Sequence, residues 1–188
     1  TEIGADYGSA TATNLQVSTD GGTTWSNATN ATFAAGATSV LVRTPVVNDA
    51  FDETDETFSL TATRTAGTTS NASASGTATI SDNDAQPALA INDVTVNEAA
   101  GTMTFTVSLS AASGLPVSVA YATGGGTATA GGDYTAIPSG TLNFAAGVTS
   151  QTITVDIAND TLAEASETFN VTLSGAVNAT IADPTGLG

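Results

Sequence analysis

The side chains here that can do chemistry are almost all carboxylates. Eighteen Asp and Glu stand against two arginines, Arg43 and Arg64, with no lysine, histidine or cysteine, for a formal charge of −16. That set excludes histidine-based triads, thiol nucleophiles and Schiff-base chemistry. It also excludes disulfides and thiolate zinc sites. The densest acidic stretch is Asn48-Asp49-Ala50-Phe51-Asp52-Glu53-Thr54-Asp55-Glu56. Four carboxylates in five residues, Asp52, Glu53, Asp55 and Glu56, repel one another unless a cation lies among them. Oxygen ligands from loops, without imidazole or thiolate, select calcium over zinc or copper. Glu53 with Glu56, or Glu164 with Glu167, has the makings of a glycosidase pair, but that chemistry needs a cleft with aromatic platforms. The chain has one tryptophan. No enzyme is expected, and no catalytic residue is assigned.

The acidic stretches belong to a repeat. Phe33-Ala34-Ala35-Gly36-Ala37-Thr38-Ser39 recurs as Phe144-Ala145-Ala146-Gly147-Val148-Thr149-Ser150, an offset of 111. The register holds without a gap to Phe58 against Phe169, so Asn48-Asp49 aligns with Asn159-Asp160, Glu53 with Glu164, and Glu56 with Glu167. Asp6-Tyr7 matches Asp133-Tyr134, and Asp82-Asn83-Asp84 follows the end of the first copy. Two modules are therefore expected, 1–84 and 85–188. The first reads as lacking its opening strands and the second as lacking its last, so the chain reads as a segment of a longer array.

The elements that position the carboxylates are strands. Thr and Val suit pleated strands and Gly, Asn and Asp suit turns, while Leu, Lys and Glu are scarce. Met103-Thr104-Phe105-Thr106-Val107-Ser108-Leu109 alternates apolar with polar, as do Thr152 to Ile157, Phe169 to Leu173 and Phe58 to Leu60. Ala88–Val96, Thr102–Ser110 and Val117–Tyr121 are the expected opening strands of the second copy. Period two with Gly- and Asp-rich turns predicts all-β, antiparallel, Ig-like sandwiches of about seven strands each. Asp20-Gly21-Gly22 reads as a tight hairpin, and Trp25 as a cap on the core. Gly124-Gly125-Gly126 lacks the strand–helix context of a phosphate loop and reads as a flexible loop.

Taken together, Asp133-Tyr134, the Asn159-Asp160-x-x-x-Glu164-x-x-Glu167-x-Phe169 loop, Gly76 to Asp84, and Val94-Thr95-Val96-Asn97-Glu98-Ala99 resemble the Calx-beta domains. The resemblance implies calcium at the end of the sandwich, near the junction with the next module. Carried over by position, its ligands are Asp6, Asp49, Glu53, Glu56, Asp82 and Asp84 in the first copy, and Glu98, Asp133, Asp160, Glu164 and Glu167 in the second. The second copy lacks the closing Asp-x-Asp, and Ala163 and Ser166 stand where the first has Asp52 and Asp55.

The charge repels phosphate, so no nucleic-acid partner is expected. No apolar run reaches the roughly 18 residues of a membrane helix, so no membrane insertion is expected. An acidic chain without lysine or cysteine suits an extracellular bacterial protein. Such tandem modules resemble the repeat regions of large surface adhesins exported by the type I pathway. The expected function is a calcium-stiffened structural segment, its partners neighbouring repeats of the same chain. Cell-surface or carbohydrate ligands are then reached through other domains. A carbohydrate- or ligand-binding module of a secreted protein, using Trp25 and the Asp20 hairpin, is the alternative. A calcium-sensing domain of a membrane transporter is a third reading.

Overall fold

A computed structural model of the chain describes Asp6, Tyr7 and residues 14–188. Residues 1–5 and 8–13 of the expected first module lie outside the described residues. The described residues fall into two compact units. One contains Asp55–Ser81 and the described residues before Phe51; the other contains Phe51–Thr54 and Asp82–Gly188. The expected module boundaries thus differ from the compact units at two acidic segments, 51–54 and 82–84.

In the first unit, β1 (Gln16–Ser18), β2 (Ser26–Asn27) and β3 (Leu41–Arg43) form a sheet in the order β2-β1-β3. β4 (Glu56–Thr63) and β5 (Ser73–Ile80) form an antiparallel pair with eight residues in register. The hairpin between β1 and β2 turns at Gly21 and Gly22, both at positive φ, as the Asp-Gly-Gly sequence predicts. The Asp20 carboxylate holds it, accepting the Thr24 amide at 2.9 Å and hydroxyl at 2.5 Å, and the Ser18 hydroxyl at 2.7 Å. Those donors, Thr24 foremost, favour the charged form and lower the Asp20 pKa to about 2. Trp25 does not cap a core. It is half-buried beside its own hairpin, its indole N–H donating to the Gly22 carbonyl at 3.0 Å and its ring 4.1 Å from the Arg43 guanidinium.

The second unit is a complete sandwich. Its strands are β6 (Ala88–Ile91), β7 (Thr102–Leu109), β8 (Val117–Gly124), β9 (Gly140–Phe144), β10 (Ser150–Asp156), β11 (Asn170–Val177), β12 (Thr180–Asp183) and β13 (Thr185–Leu187). The sheets run β10-β7-β6-β12 and β13-β11-β8-β9. β7 shows the logic of the alternation: Met103, Phe105, Val107 and Leu109 are buried, and each Thr or Ser between them is exposed. Phe105, Val107, Val155 and Val171 are wholly buried between the sheets.

Two expectations are corrected here. The strand expected over Ala88–Val96 stops at Ile91, because Asn92 turns its side-chain oxygen onto the Thr106 amide at 2.6 Å. The chain then shifts to the other sheet, where the Val94 amide bonds the Leu187 carbonyl at 2.9 Å. The last strand is present, in two halves. β12 lies parallel to β6, and β13 lies antiparallel to β11. Pro184, which has no amide hydrogen to give, stands at the switch, and its carbonyl accepts the Leu173 amide at 2.7 Å. The repeat concealed this strand because its turn is short. Asn178 at φ 58° and Ala179 connect β11 to β12, whereas residues 64–72 connect β4 to β5.

Candidate metal centre

Three loops at one end of the second unit carry its acidic residues. Glu98 opens a single 3-10 turn, Glu98–Ala100, between β6 and β7. Asp133 lies between β8 and β9, and Asp160, Glu164 and Glu167 lie between β10 and β11. Buried side chains anchor these loops: Met103 at the start of β7, and Tyr134 and Phe169 on the loops themselves, are packed in the core. Tyr134 stacks on Phe169 with ring centroids 4.4 Å apart.

The carboxylates converge. One oxygen each from Glu98, Asp160 and Glu164 lies within 4.8 Å of the others. Backbone amides fix two of them: the Asp160 amide donates to Glu98 Oε1 at 2.9 Å, and the Leu162 amide to Asp160 Oδ1 at 2.6 Å. The Thr129 amide fixes Asp133, donating to its Oδ2 at 2.5 Å. Crowding raises the remaining pair. Glu164 is pushed above the usual carboxylate range, first by water its neighbours displace, then by the charges of Asp160, Asp133 and Glu98. Glu167 is raised first by a hydrogen bond with Asp133, which only a protonated Glu167 can donate, then by lost hydration and by the charges of Asp133 and Glu164. The structure therefore gathers all five residues expected from the second copy. Five carboxylates gathered on three loops form a donor set for a hard divalent cation.

A second cluster lies on Phe51–Thr54 and Asp82–Asp84, within the same compact unit. The Asp52 carbonyl accepts the Gly114 amide at 3.2 Å, and this holds the 51–54 loop against residues 113–114. Asp52 is 7% exposed, and its Oδ2 is buried without a hydrogen-bond partner among the described residues. Burial first, then the charges of Asp82 and Asp84, raise its pKa. Glu53 packs so closely on Gly114 that a Cβ there would come within 2.5 Å of the Glu53 side chain. An orphaned buried carboxylate oxygen facing two more carboxylates fits a cation as well.

Of the first-copy residues expected as ligands, Glu53, Asp82 and Asp84 belong to this unit with Asp52, whereas Asp6, Asp49 and Glu56 belong to the other. Asp6 is held there through its backbone, its carbonyl accepting the Val47 amide at 2.9 Å. Asp52 is not among the ligands the resemblance implies, and its counterpart in the second copy is Ala163. The local acid density around it was the available signal.

Two stretches of the chain, 18–86 and 82–186, match the Calx-beta domain profile. The chain belongs to the Calx-beta domain family. Among solved structures, CBD12 from CALX1.2 is 27% identical, covering 53% of this chain and 42% of its own, with a TM-score of 0.49. The apo-form Calx CBD1 domain is 25% identical, covering 53% of this chain and 94% of its own, at 0.46. CBD12 of CALX1.1, described as a calcium-binding domain, is 27% identical, covering 53% and 44%, at 0.47. This Calx-beta chain spans less than half the length of either CBD12 structure. No curated protein matches it.

Proposed function

We propose that this chain is a calcium-binding structural segment of an extracellular bacterial adhesin, in which the ion stiffens loops and module junctions. The observation that carries the calcium reading is the convergence of Glu98, Asp160 and Glu164 within 4.8 Å, with Asp133 and Glu167 beside them. Glu98, Asp133, Asp160, Glu164 and Glu167 hold one site. Asp52, Glu53, Asp82 and Asp84 hold the other. Carboxylates fixed by backbone amides leave the cation little reorganisation to impose, and binding removes the repulsion among them.

The adhesin reading rests on the tandem modules and on a composition of 18 acidic residues with no lysine or cysteine. It assigns no catalysis to the chain, and makes neighbouring repeats its partners. Calcium bound by the folded state alone raises its stability by mass action, about 2.7 kcal/mol at a hundred times Kd. Calorimetry in millimolar calcium against chelator should show the melting temperature raised in calcium, and still raised in moderate sodium chloride, which screens charge without filling the sites. An unchanged melting temperature would refute the calcium reading. For the location, antibodies to the chain should label intact producing cells; label confined to lysed cells would refute an extracellular adhesin.

A further inference from the structure

The Asp52 cluster rests on a part of the chain that holds no acidic residue. Ser113 and Gly114, between β7 and β8, form that seat. The Asp52 carbonyl accepts the Gly114 amide at 3.2 Å and the Ser113 hydroxyl at 3.4 Å, and residues 52 and 113 form a parallel bridge. The seat is itself held. Ser113 is buried, its Oγ accepts the Leu115 amide at 3.1 Å, and its carbonyl accepts the Gly147 amide at 2.9 Å. Gly147 belongs to the turn between β9 and β10. Ala88 brings Asp82 and Asp84 to the same end of the sandwich, since its amide and its carbonyl both bond Ser110 at 2.9 Å. Glu98 and Asp160 lie beyond the far end of β7 and β10, where Asp156 pairs with Thr102, about 25 Å away along the eight residues of β7.

We propose that the Ser113-Gly114 turn is the positioning element of the Asp52 cation site: it holds Asp52 and Glu53 where they reach the ion, and the ion holds them on the turn. The inference rests on the calcium reading of that cluster and adds two residues that give the ion no ligand. Asp52 couples the two events. Its backbone is docked on residues 113–114, its side chain is 7% exposed, and its Oδ2 has no hydrogen-bond partner among the described residues. A buried carboxylate oxygen without a partner is costly, so docking is opposed without a cation and favoured with one. Such coupling is reciprocal: whatever loosens the loop from its seat weakens ion binding by the same factor. Glu53 explains why residue 114 is glycine. A Cβ there would stand 2.5 Å from Glu53 Cγ and Oε1, and what gives way is a flexible side chain, not the backbone. Alanine at 114 therefore leaves the fold in place and turns a ligand away from the ion. In the second copy Ala163 and Glu164 stand at the positions of Asp52 and Glu53, and both are exposed.

The test is calorimetric titration of the whole chain with calcium, in a background of Glu98→Gln and Asp160→Asn that silences the other site. One ion should bind. Gly114→Ala should weaken it by about ten-fold or more and leave the melting temperature in chelator unchanged. Combined with Glu53→Ala, which removes the side chain a Cβ would strike, Gly114→Ala should have no further effect on affinity. An affinity untouched by Gly114→Ala would overturn the proposal. So would a loss that adds in full to that of Glu53→Ala, the mark of a merely structural role. A measurement on the unsubstituted chain needs no variant to fold: hydrogen exchange at the Gly114 amide should be at least about ten-fold slower in calcium than in chelator. Equal rates would overturn the coupling between ion and seat. No binding in the background would refute the calcium reading of the Asp52 cluster and the proposal with it, whereas binding indifferent to residue 114 refutes the proposal alone.

Discussion

Phe33 and Phe144 make a controlled comparison, since one sequence motif surrounds both. Phe144→Ala should cost the second unit about 3–5 kcal/mol, because it empties a packed interior. Phe33→Ala should cost the first unit less than about 0.5 kcal/mol, as expected for an exposed site. Urea unfolding of the two variants checks this, with Trp25 reporting the first unit. Asp20 contributes to the acid response of that unit. Its pKa falls from 3.8 to about 2 on folding, so the stability it adds is present above pH 3.8 and is lost as the pH falls toward 2. Asp20→Asn should flatten that loss, read as the urea midpoint of Trp25 fluorescence at pH 5 and at pH 2.5. Asp52 shows a residue the repeat concealed. Side chains matched between copies identify the shared ligands, whereas Asp52 has Ala163 opposite; the run of carboxylates from Asp52 to Glu56 marks it in the sequence, and its burial against residues 113–114 singles it out in the fold.

Among the elements, the loop between β10 and β11 gives a prediction whose sign depends on the cation. Glu98→Gln with Asp160→Asn relieves repulsion, so without calcium the second unit should melt higher than the parent. In calcium it should melt lower, having lost most of the ion's stabilisation; calorimetry in the two buffers checks both signs. The strands of that unit were legible because alternation is a property of each segment, and β7 buries its apolar residues as Met103 to Leu109 predict. The acidic loops were legible because the repeat fixes their register. Legibility failed where one element's pairing depends on a distant one. Nothing in Ala88–Val96 announces that Asn92 will cap Thr106 and end the strand. Nothing in residues 180–187 announces a strand that divides between two sheets at Pro184. Trp25 was misplaced for the same reason: Arg43, 18 residues later in sequence, stacks on its ring.

For the whole molecule, a charge of −16 with two arginines means that most cohesion must come from apolar burial and backbone pairing, and the two units are unequal in both. The parallel pairing of β6 with β12 has a mechanical consequence. The second sandwich is entered at Ala88 and left after β12 and β13, and β6 and β12 point the same way. Tension on the two ends therefore slides these strands past each other, loading their hydrogen bonds together and not one at a time from an end. Forced unfolding follows the height of the unfolding barrier, so such a clasp resists pulling more than equilibrium stability alone would give. Thr180→Pro removes the amide that donates to the Pro87 carbonyl at 2.9 Å, at the start of the clasp. In single-molecule pulling from residues 87 and 188, that variant should yield at a clearly lower force than the parent, by a larger fraction than its urea midpoint falls. Equal rupture forces would mean that the load is borne elsewhere in the sandwich.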